Sequence, residues 1–289
     1  MGEDHHSNLA TNDLVNVLCM KWGNKYPADY VNRLYSMVAR NMQRPFRFIC
    51  LTDDSVGLGE NIESFPLPEL SVDLGGPERG WNKLAVFAEE LYDLKGKVLC
   101  LDLDLIITGS LDDLFDYPGE VMIIKDWIKK DGTGNSSVYR FEVGAHPEIL
   151  SEFEASFEEI KVRHRNEQEY LSAALMEKNA LVYWPDHWCR SFKRHCIKPL
   201  SFFTARDTEI PEDARVIVFH GKPDPHEAII GVMIESFLEA GRQNVVEGGK
   251  LTYGQSITDP CIDWSATEDI LTRLADDVAQ RRLKRGGSS

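Results

Sequence analysis

The chain alternates short, largely apolar runs with segments whose apolar residues recur every three or four positions. Leu14 to Met20 (LVNVLCM), Arg47 to Leu51 (RFICL), Val98 to Leu101 (VLCL) and Val121 to Ile124 are runs of the first kind. A strand reads this way when both faces of its sheet are covered, as in mostly parallel sheets. Between the runs, Val31, Leu34, Tyr35, Val38 and Met42 repeat with the period of one helix face. Leu84, Phe87, Ala88 and Leu91 do the same and predict a helix from about Trp81 to Leu94. This order predicts an α/β fold, a mostly parallel Rossmann-like sheet flanked by helices.

The second half mixes shorter pieces and predicts a smaller appended region. Pro147 opens a helix with the stripe Ile149, Leu150, Phe153 and Phe157, and Gln168 starts another bearing Tyr170, Leu171 and Leu175. Val216 to Phe219 is a late strand. Ser265 with Glu268 is a capping-box pattern, followed at helical spacing by Ile270, Leu271, Leu274 and Val278. That helix ends in Arg281, Arg282, Lys284 and Arg285, which suit the dipole of a solvated helix end or contact with an anionic membrane surface. The expected organisation is a flexible tail over 1–12, one domain over 13–264 with halves 13–125 and 126–264, and a basic-ended helix over 265–289.

Composition narrows the function. The net charge of −15, from 47 acidic and 32 basic residues, disfavours nucleic acid as a partner. An acidic protein that handles phosphorylated substrates needs a cation to neutralise them locally. The start, Met1 to Asn12, is polar, and no apolar run approaches the roughly 20 residues that span a bilayer. The expected location is therefore cytoplasmic, with peripheral membrane contact through the basic helix as an option. Among six cysteines, Cys19, Cys50 and Cys100 sit inside apolar runs, while Cys189 and Cys196 lack the spacing of a zinc knuckle.

The sharpest chemical signal is Leu101-Asp102-Leu103-Asp104 at the end of the VLCL run. Ligands of open α/β sheets bind beyond the carboxyl ends of the strands. Alternation along an extended segment sends Asp102 and Asp104 to the same side. Two carboxylates there can hold Mn²⁺ or Mg²⁺, hard cations that prefer oxygen ligands. Such an ion can bridge a diphosphate and stabilise the charge it gains on leaving. The alternative is a solvated strand end or a pair of helix caps.

Around this pair the chain resembles A-type glycosyltransferases, especially the glycogenin-like family 8 group or a sister family. The likeness runs from about Leu14 to Ala228. It rests on Leu101 to Thr108 with Ser110-Leu111-Asp112-Asp113-Leu114-Phe115, and on Trp81-Asn82-Lys83-Leu84, Asn135-Ser136-Ser137-Val138, Glu167-Gln168-Glu169 and Phe219-His220-Gly221-Lys222-Pro223. The resemblance implies a donor-contacting role for Lys83 and Asn135, a phosphate-binding Lys222, and metal ligation by Asp102, Asp104 and His220. It places Gln168 beside the anomeric carbon, and the nucleotide base near Trp22, Asn24, Lys25 and Tyr26. The sequence departs from the pattern in its compressed His-Gly-Lys spacing, which makes His226 a competitor for His220, and in Ser137, Glu167 and Glu169.

The expected activity is transfer of a sugar from a nucleotide-diphosphate sugar, a UDP-sugar first, to a saccharide or glycolipid, with retention. The 13–125 half would bind the donor and the 126–264 half the acceptor. An inverting route needs a carboxylate base, for which Asp126, Asp186 and Glu167 are candidates. Trp184-Pro185-Asp186-His187-Trp188 reads either as an acceptor-side loop whose indoles stack on sugars or as core packing. The alternatives in function are a haloacid-dehalogenase-type phosphatase, whose D-x-D opens the first strand, and a non-catalytic nucleotide-sugar-binding protein.

Overall fold

The structure, a computed structural model, describes residues 14–74, 79–197, 208–225, 236–245, 249–258 and 260–286. The expected tail over 1–12 and His226 lie outside them. The chain divides into two compact units, Met1–Ala228 and Ile229–Ser289. The division falls inside the span 13–264 that the sequence reads as one domain.

The first unit is a layered α/β structure. Its seven-stranded sheet has the order β3-β2-β1-β4-β7-β6-β8. The strands are β1 (Val15–Lys21), β2 (Phe46–Thr52), β3 (Glu63–Phe65), β4 (Lys97–Leu101), β6 (Val121–Lys125), β7 (Gly134–Glu142) and β8 (Leu181–Tyr183). Pairing is parallel from β3 through β4 and between β6 and β8; only β7 runs against its neighbours.

The unbroken apolar runs follow from cover on both faces. Val17, Cys19, Phe48, Cys50, Leu99 and Leu101 point into one buried cluster, and Leu18, Ile49, Leu51, Val98 and Cys100 into another. Helix α1 (Ala28–Asn41) seals the first face with Val31, Leu34 and Val38. The second face is sealed by α3 (Pro147–Ala155), α4 (Phe157–Arg163), α5 (Glu167–Glu177) and the segment before β4.

That segment is not the expected α-helix over 81–94. It is a 3₁₀ helix, Arg79–Phe87. Trp81, Leu84 and Phe87 stand three residues apart, and three residues per turn aligns them on one face. All three are buried, with Trp81 stacked on Phe153 at 5.2 Å. The winding ends before Tyr92, whose φ of 53° is left-handed.

A second, three-stranded sheet is ordered β5-β10-β9, from β5 (Leu105–Ile107), β9 (Cys189–Ser191) and β10 (Val216–Val218). Buried Arg140 on β7 ties the short helix α2 (Asp112–Asp116) to the sheet. Its guanidinium donates to the carbonyls of Leu114 at 2.6 Å, Tyr117 at 2.9 Å and Gly119 at 2.7 Å. Burial pushes this cation's pKa down, yet the carbonyls at the end of α2 carry the negative end of the helix dipole and compensate it.

The second unit contains a small parallel pair, β11 (Glu239–Arg242) with β12 (Gln255–Ser256), and helix α6 (Trp264–Gly286). Every buried apolar side chain among the described residues lies at or before Phe219. In the second unit Phe237, Leu251, Tyr253, Trp264, Leu271 and Val278 are exposed. The side chains of Arg281, Arg282, Lys284 and Arg285 are outside the description, and with them the basic-end expectation. No helix among the described residues is long and apolar enough to cross a membrane. Because the first unit owns the cores, a chain ending at Ala228 is expected to melt within about 3 °C of the full chain, less than 1 kcal/mol for a domain of this size. Differential scanning fluorimetry of the two proteins checks it; a drop of roughly 10 °C would show that the second unit carries part of the stability.

Candidate active site

The carboxyl end of β4 is where the sheet concentrates polar groups. β4 keeps pairing to its last turn, with the Asp102 amide donating to the Ser137 carbonyl at 2.9 Å. Leu103 and Leu105 are buried while Asp102 and Asp104 are only partly so, as alternation requires. The two carboxylates therefore leave the sheet on the same side.

Each has a partner. The Lys83 ammonium, brought by the 3₁₀ helix, lies 2.5 Å from Asp102 Oδ1. It also reaches Ser136 Oγ at 3.4 Å. Burial works against the Lys83 charge, but Asp102 and Glu167 outweigh it and hold its pKa above the usual lysine range. Tyr26, from the loop between β1 and α1, donates to Asp104 Oδ2 at 2.8 Å. Burial, then the neighbouring Asp102 charge, raises the Asp104 pKa. Asp104 is a carboxylate whose surroundings resist its charge, which a bound cation would relieve.

Ser136 joins this pair to α5. Its amide donates to Gln168 Oε1 at 2.8 Å and its hydroxyl to Glu167 Oε1 at 3.1 Å. Asn166 caps α5 by accepting from the Glu169 amide at 3.1 Å, which fixes Glu167 and Gln168 in the first turn. Glu167 passes so close to Gly80 that a Cβ there would stand 2.8 Å from Glu167 Oε2. Glycine at 80 is what lets the carboxylate in.

Asp102, Asp104, Lys83, Glu167 and Gln168 are thus gathered, and the other expected residues stand apart. Lys25 is exposed over the Tyr26 ring at 4.4 Å, where its charge pulls the Asp104 pKa down, and Asn24 beside it is exposed. Asn135 lies within β7, where its Oδ1 accepts from the Ser137 amide at 3.0 Å. Asp126 caps its own loop, accepting from the amides of Ile128 at 2.7 Å and Lys129 at 2.8 Å. Lys222 is exposed and pairs with Asp224 at 2.7 Å.

His220 does not face the carboxylate pair. Its Nε2 is 2.6 Å from Ser191 Oγ, and its ring stacks on Trp127 at 5.7 Å. Burial, then Lys193 and Arg194, lowers its pKa and keeps it neutral. Among the described residues no three His, Cys, Asp or Glu side chains converge as metal ligands. What the site offers a metal is two hard oxygen donors, a set that suits Mn²⁺ or Mg²⁺ with a ligand's own oxygens completing the shell. Sequence reasoning missed Ser191 and Trp127, since a serine after a short strand and a lone tryptophan in a polar hairpin carry no pattern.

For the tryptophans of 184–188 the packing alternative describes the structure. Trp184 is buried and donates to the Val138 carbonyl at 3.1 Å, and half-buried Trp188 packs beneath the Arg215 guanidinium at 4.1 Å. The Trp184 ring is closed to a stacking sugar, and one Trp188 face carries Arg215.

One ion-pair network beside the site sets an acid limit on stability. Glu169 accepts from Lys129 at 2.5 Å and from Arg165 at 2.9 Å. The Lys129 hydrogen bond above all holds the Glu169 pKa down to about 2. A depressed carboxylate stabilises the fold above its unfolded value of about 4.3, and that contribution fades as pH falls towards the folded value. Urea midpoints are therefore expected to fall between these limits, and the Glu169→Gln variant to lose less over the same range.

Comparison with known proteins gives different answers for different parts of the chain. Residues 204–272 match the model of the DAHP synthetase I family. The chain is 56% identical over 55 residues to the Trp-sensitive phospho-2-dehydro-3-deoxyheptonate aldolase of Enterobacter agglomerans, covering 19% of this chain and 16% of that one. The chain thus spans about a sixth of the length of that curated relative. Among solved structures, an active-site mutant of LgtC superposes with a TM-score of 0.52 at 17% identity, over 73% of this chain and 89% of that one. A structure of the galactosyltransferase LgtC with donor and acceptor sugar analogues gives 0.49 at 16% identity, over 73% and 89%. The fold is that of A-type glycosyltransferases, as the resemblance implies.

Proposed function

We propose that the first unit transfers a sugar from a nucleoside-diphosphate sugar, a UDP-sugar first, to a hydroxyl of a saccharide or glycolipid. The observation that carries this reading is the Asp102–Asp104 pair, set on one side of the end of β4 in a fold of this type. Mn²⁺ or Mg²⁺ held by the pair would supply Lewis-acid compensation for the charge gathering on the departing diphosphate.

The chain's own groups do the rest. The Lys83 ammonium, kept charged by Asp102 and Glu167, adds a fixed positive charge where the diphosphate gathers its own. Gln168 and Glu167, locked through Ser136 at the start of α5, are the polar groups set to orient the sugar. For transfer with retention, the acceptor oxygen bonds to the anomeric carbon as the carbon–phosphate oxygen bond breaks, and the acceptor proton passes to the leaving phosphate oxygen. Asp126 and Asp186 are not needed on this route. His220 enters as a third metal ligand only in a site where it has left Ser191. Lys222 and Asn24 are donor contacts of the same proposed state. Both His220 and Lys222 lie within residues 204–272, the stretch that matches the DAHP synthetase I model.

Isothermal titration of the protein with UDP, GDP and CDP, each with Mn²⁺ and with EDTA, tests this. Binding of UDP that EDTA abolishes is the expected result. A protein that binds none of the three diphosphates with metal present would end the donor-site reading.

A further inference from the structure

The first unit carries a second charged cluster that the transfer reading does not use. Arg190 on β9 and Lys193 and Arg194 on the π-helical turn Phe192–Cys196 lie within five residues. Elsewhere in the first unit, partly buried cations such as Arg44, Arg47, Lys129 and Arg215 meet carboxylates. Among the described residues, Arg190, Lys193 and Arg194 form no ion pair. Arg190 Nε is buried and has no hydrogen-bond partner. A buried donor left this way costs about 1–3 kcal/mol.

The surroundings say what kind of molecule arrives. Lys193 Nζ stands 3.5 Å from where a Cβ on Gly221 would be, so the ammonium lies over the residue after His220. Trp127 is half-buried, stacked on His220 and edge-on to His195 at 6.2 Å. Trp184 is buried and Trp188 lies under the Arg215 guanidinium, whereas the aromatic neighbours of Trp127 are His195 and His220. An aromatic face beside cations suits a sugar ring bearing an acid group. The nearby carboxylates do not cancel the cluster: Asp126 is turned to its loop amides, and Asp186 is exposed beside His195.

Register fixes the distance from the reacting centre. Leu105 pairs with Val218, and Val218 with Ser191, so one row crosses all three strands. Asp104 precedes Leu105, while Phe192 follows Ser191. The cationic turn therefore stands two strand spacings, about 10 Å, from the carboxylate pair. That is too far for the leaving diphosphate and suits a group on the other substrate.

Resting on the transfer reading above, we propose that Arg190, Lys193 and Arg194 bind the acidic group of an anionic saccharide acceptor, carboxylated or phosphorylated, with Trp127 against its ring. The test uses the full chain with Mn²⁺ and UDP. Saturation-transfer NMR competition compares methyl glucuronide and glucose 6-phosphate with methyl glucoside, in wild type and in the Lys193→Gln/Arg194→Gln variant, whose changes lie at exposed or half-exposed positions. Expected is about tenfold tighter binding of at least one acidic sugar, lost in the variant while UDP affinity is unchanged. Whichever acid shows the preference identifies the group. Equal binding of all three sugars overturns the proposal, and so does a variant that loses UDP, since the cations would then serve the donor. Failure of UDP to bind the wild type would instead mark the failure of the transfer reading itself. A Trp127→Ala variant that weakens all three sugars alike supports the ring contact.

Discussion

Exchanging Asp104 for asparagine is expected to lower turnover about 10²- to 10³-fold and leave the fold intact, the scale of losing one preorganised charge-stabilising group. The two carboxylates are not equivalent in this respect. Asp102 is the 2.5 Å partner of the largely buried Lys83 ammonium, so its loss leaves an unpaired buried cation as well as an incomplete site. Asp104 accepts one hydrogen bond from Tyr26, and its surroundings already resist its charge. Removing that charge costs the native state nothing. Initial rates of UDP-sugar hydrolysis and melting curves, measured side by side on Asp104→Asn and Asp102→Asn, separate the two. The expected pattern is a melting point preserved or raised for Asp104→Asn and lowered for Asp102→Asn, with turnover lost in both. Full turnover in Asp104→Asn would show that the pair holds no metal that matters to the reaction.

The largest stability effect is expected at Arg140. Replacement by methionine keeps most of the volume but removes the donors that satisfy the carbonyls of Leu114, Tyr117 and Gly119. Buried acceptors left without partners cost about 1–3 kcal/mol each, and with part of the shortfall made good by water the expected loss is about 3 kcal/mol. An ion replaced together with its partner can be a neutral change, but these partners are backbone and stay behind. Arg140→Lys keeps the charge but not the fork that reaches three carbonyls, so it should recover less than half of the loss. Urea unfolding of the three proteins provides the comparison; a methionine variant within about 0.5 kcal/mol of wild type would show that α2 can re-form its end without the guanidinium.

The parallel sheet could be read from the chain because its physics is local. Strands covered on both faces are apolar nearly throughout, and LVNVLCM, RFICL and VLCL say so directly. Asp102 and Asp104 stood out for the same reason, as charge at the end of a strand built to exclude it. The segment 79–94 misled because apolar residues spaced by three and by four occur together there, and tertiary contacts with Phe153 chose the tighter winding. The burial of Trp184 and Trp188 depends on Tyr117 and Arg215, distant residues that no periodicity connects to them. Asn135, a donor contact by resemblance, spends its Oδ1 on the Ser137 amide of its own strand, a contact no sequence pattern announces. The division at Ala228 left no composition shift to find; what distinguishes the second unit is that none of its described apolar side chains is buried, a property of packing.

The order of the small sheet also governs when the molecule can first work. β10 is its central strand, yet it is the last of the three to be synthesised. Until residues 216–218 have left the ribosome, β5 and β9 have nothing to bridge them, and the face holding Asp104 lies open along one edge. More than a hundred residues separate Asp104 from Val218, so at roughly 5–20 residues per second the nascent chain carries its carboxylate pair for about 5–20 s before the sheet can close. A translation arrest placed ahead of β10 would thus strand a chain with its carboxylate pair made and its small sheet unclosed.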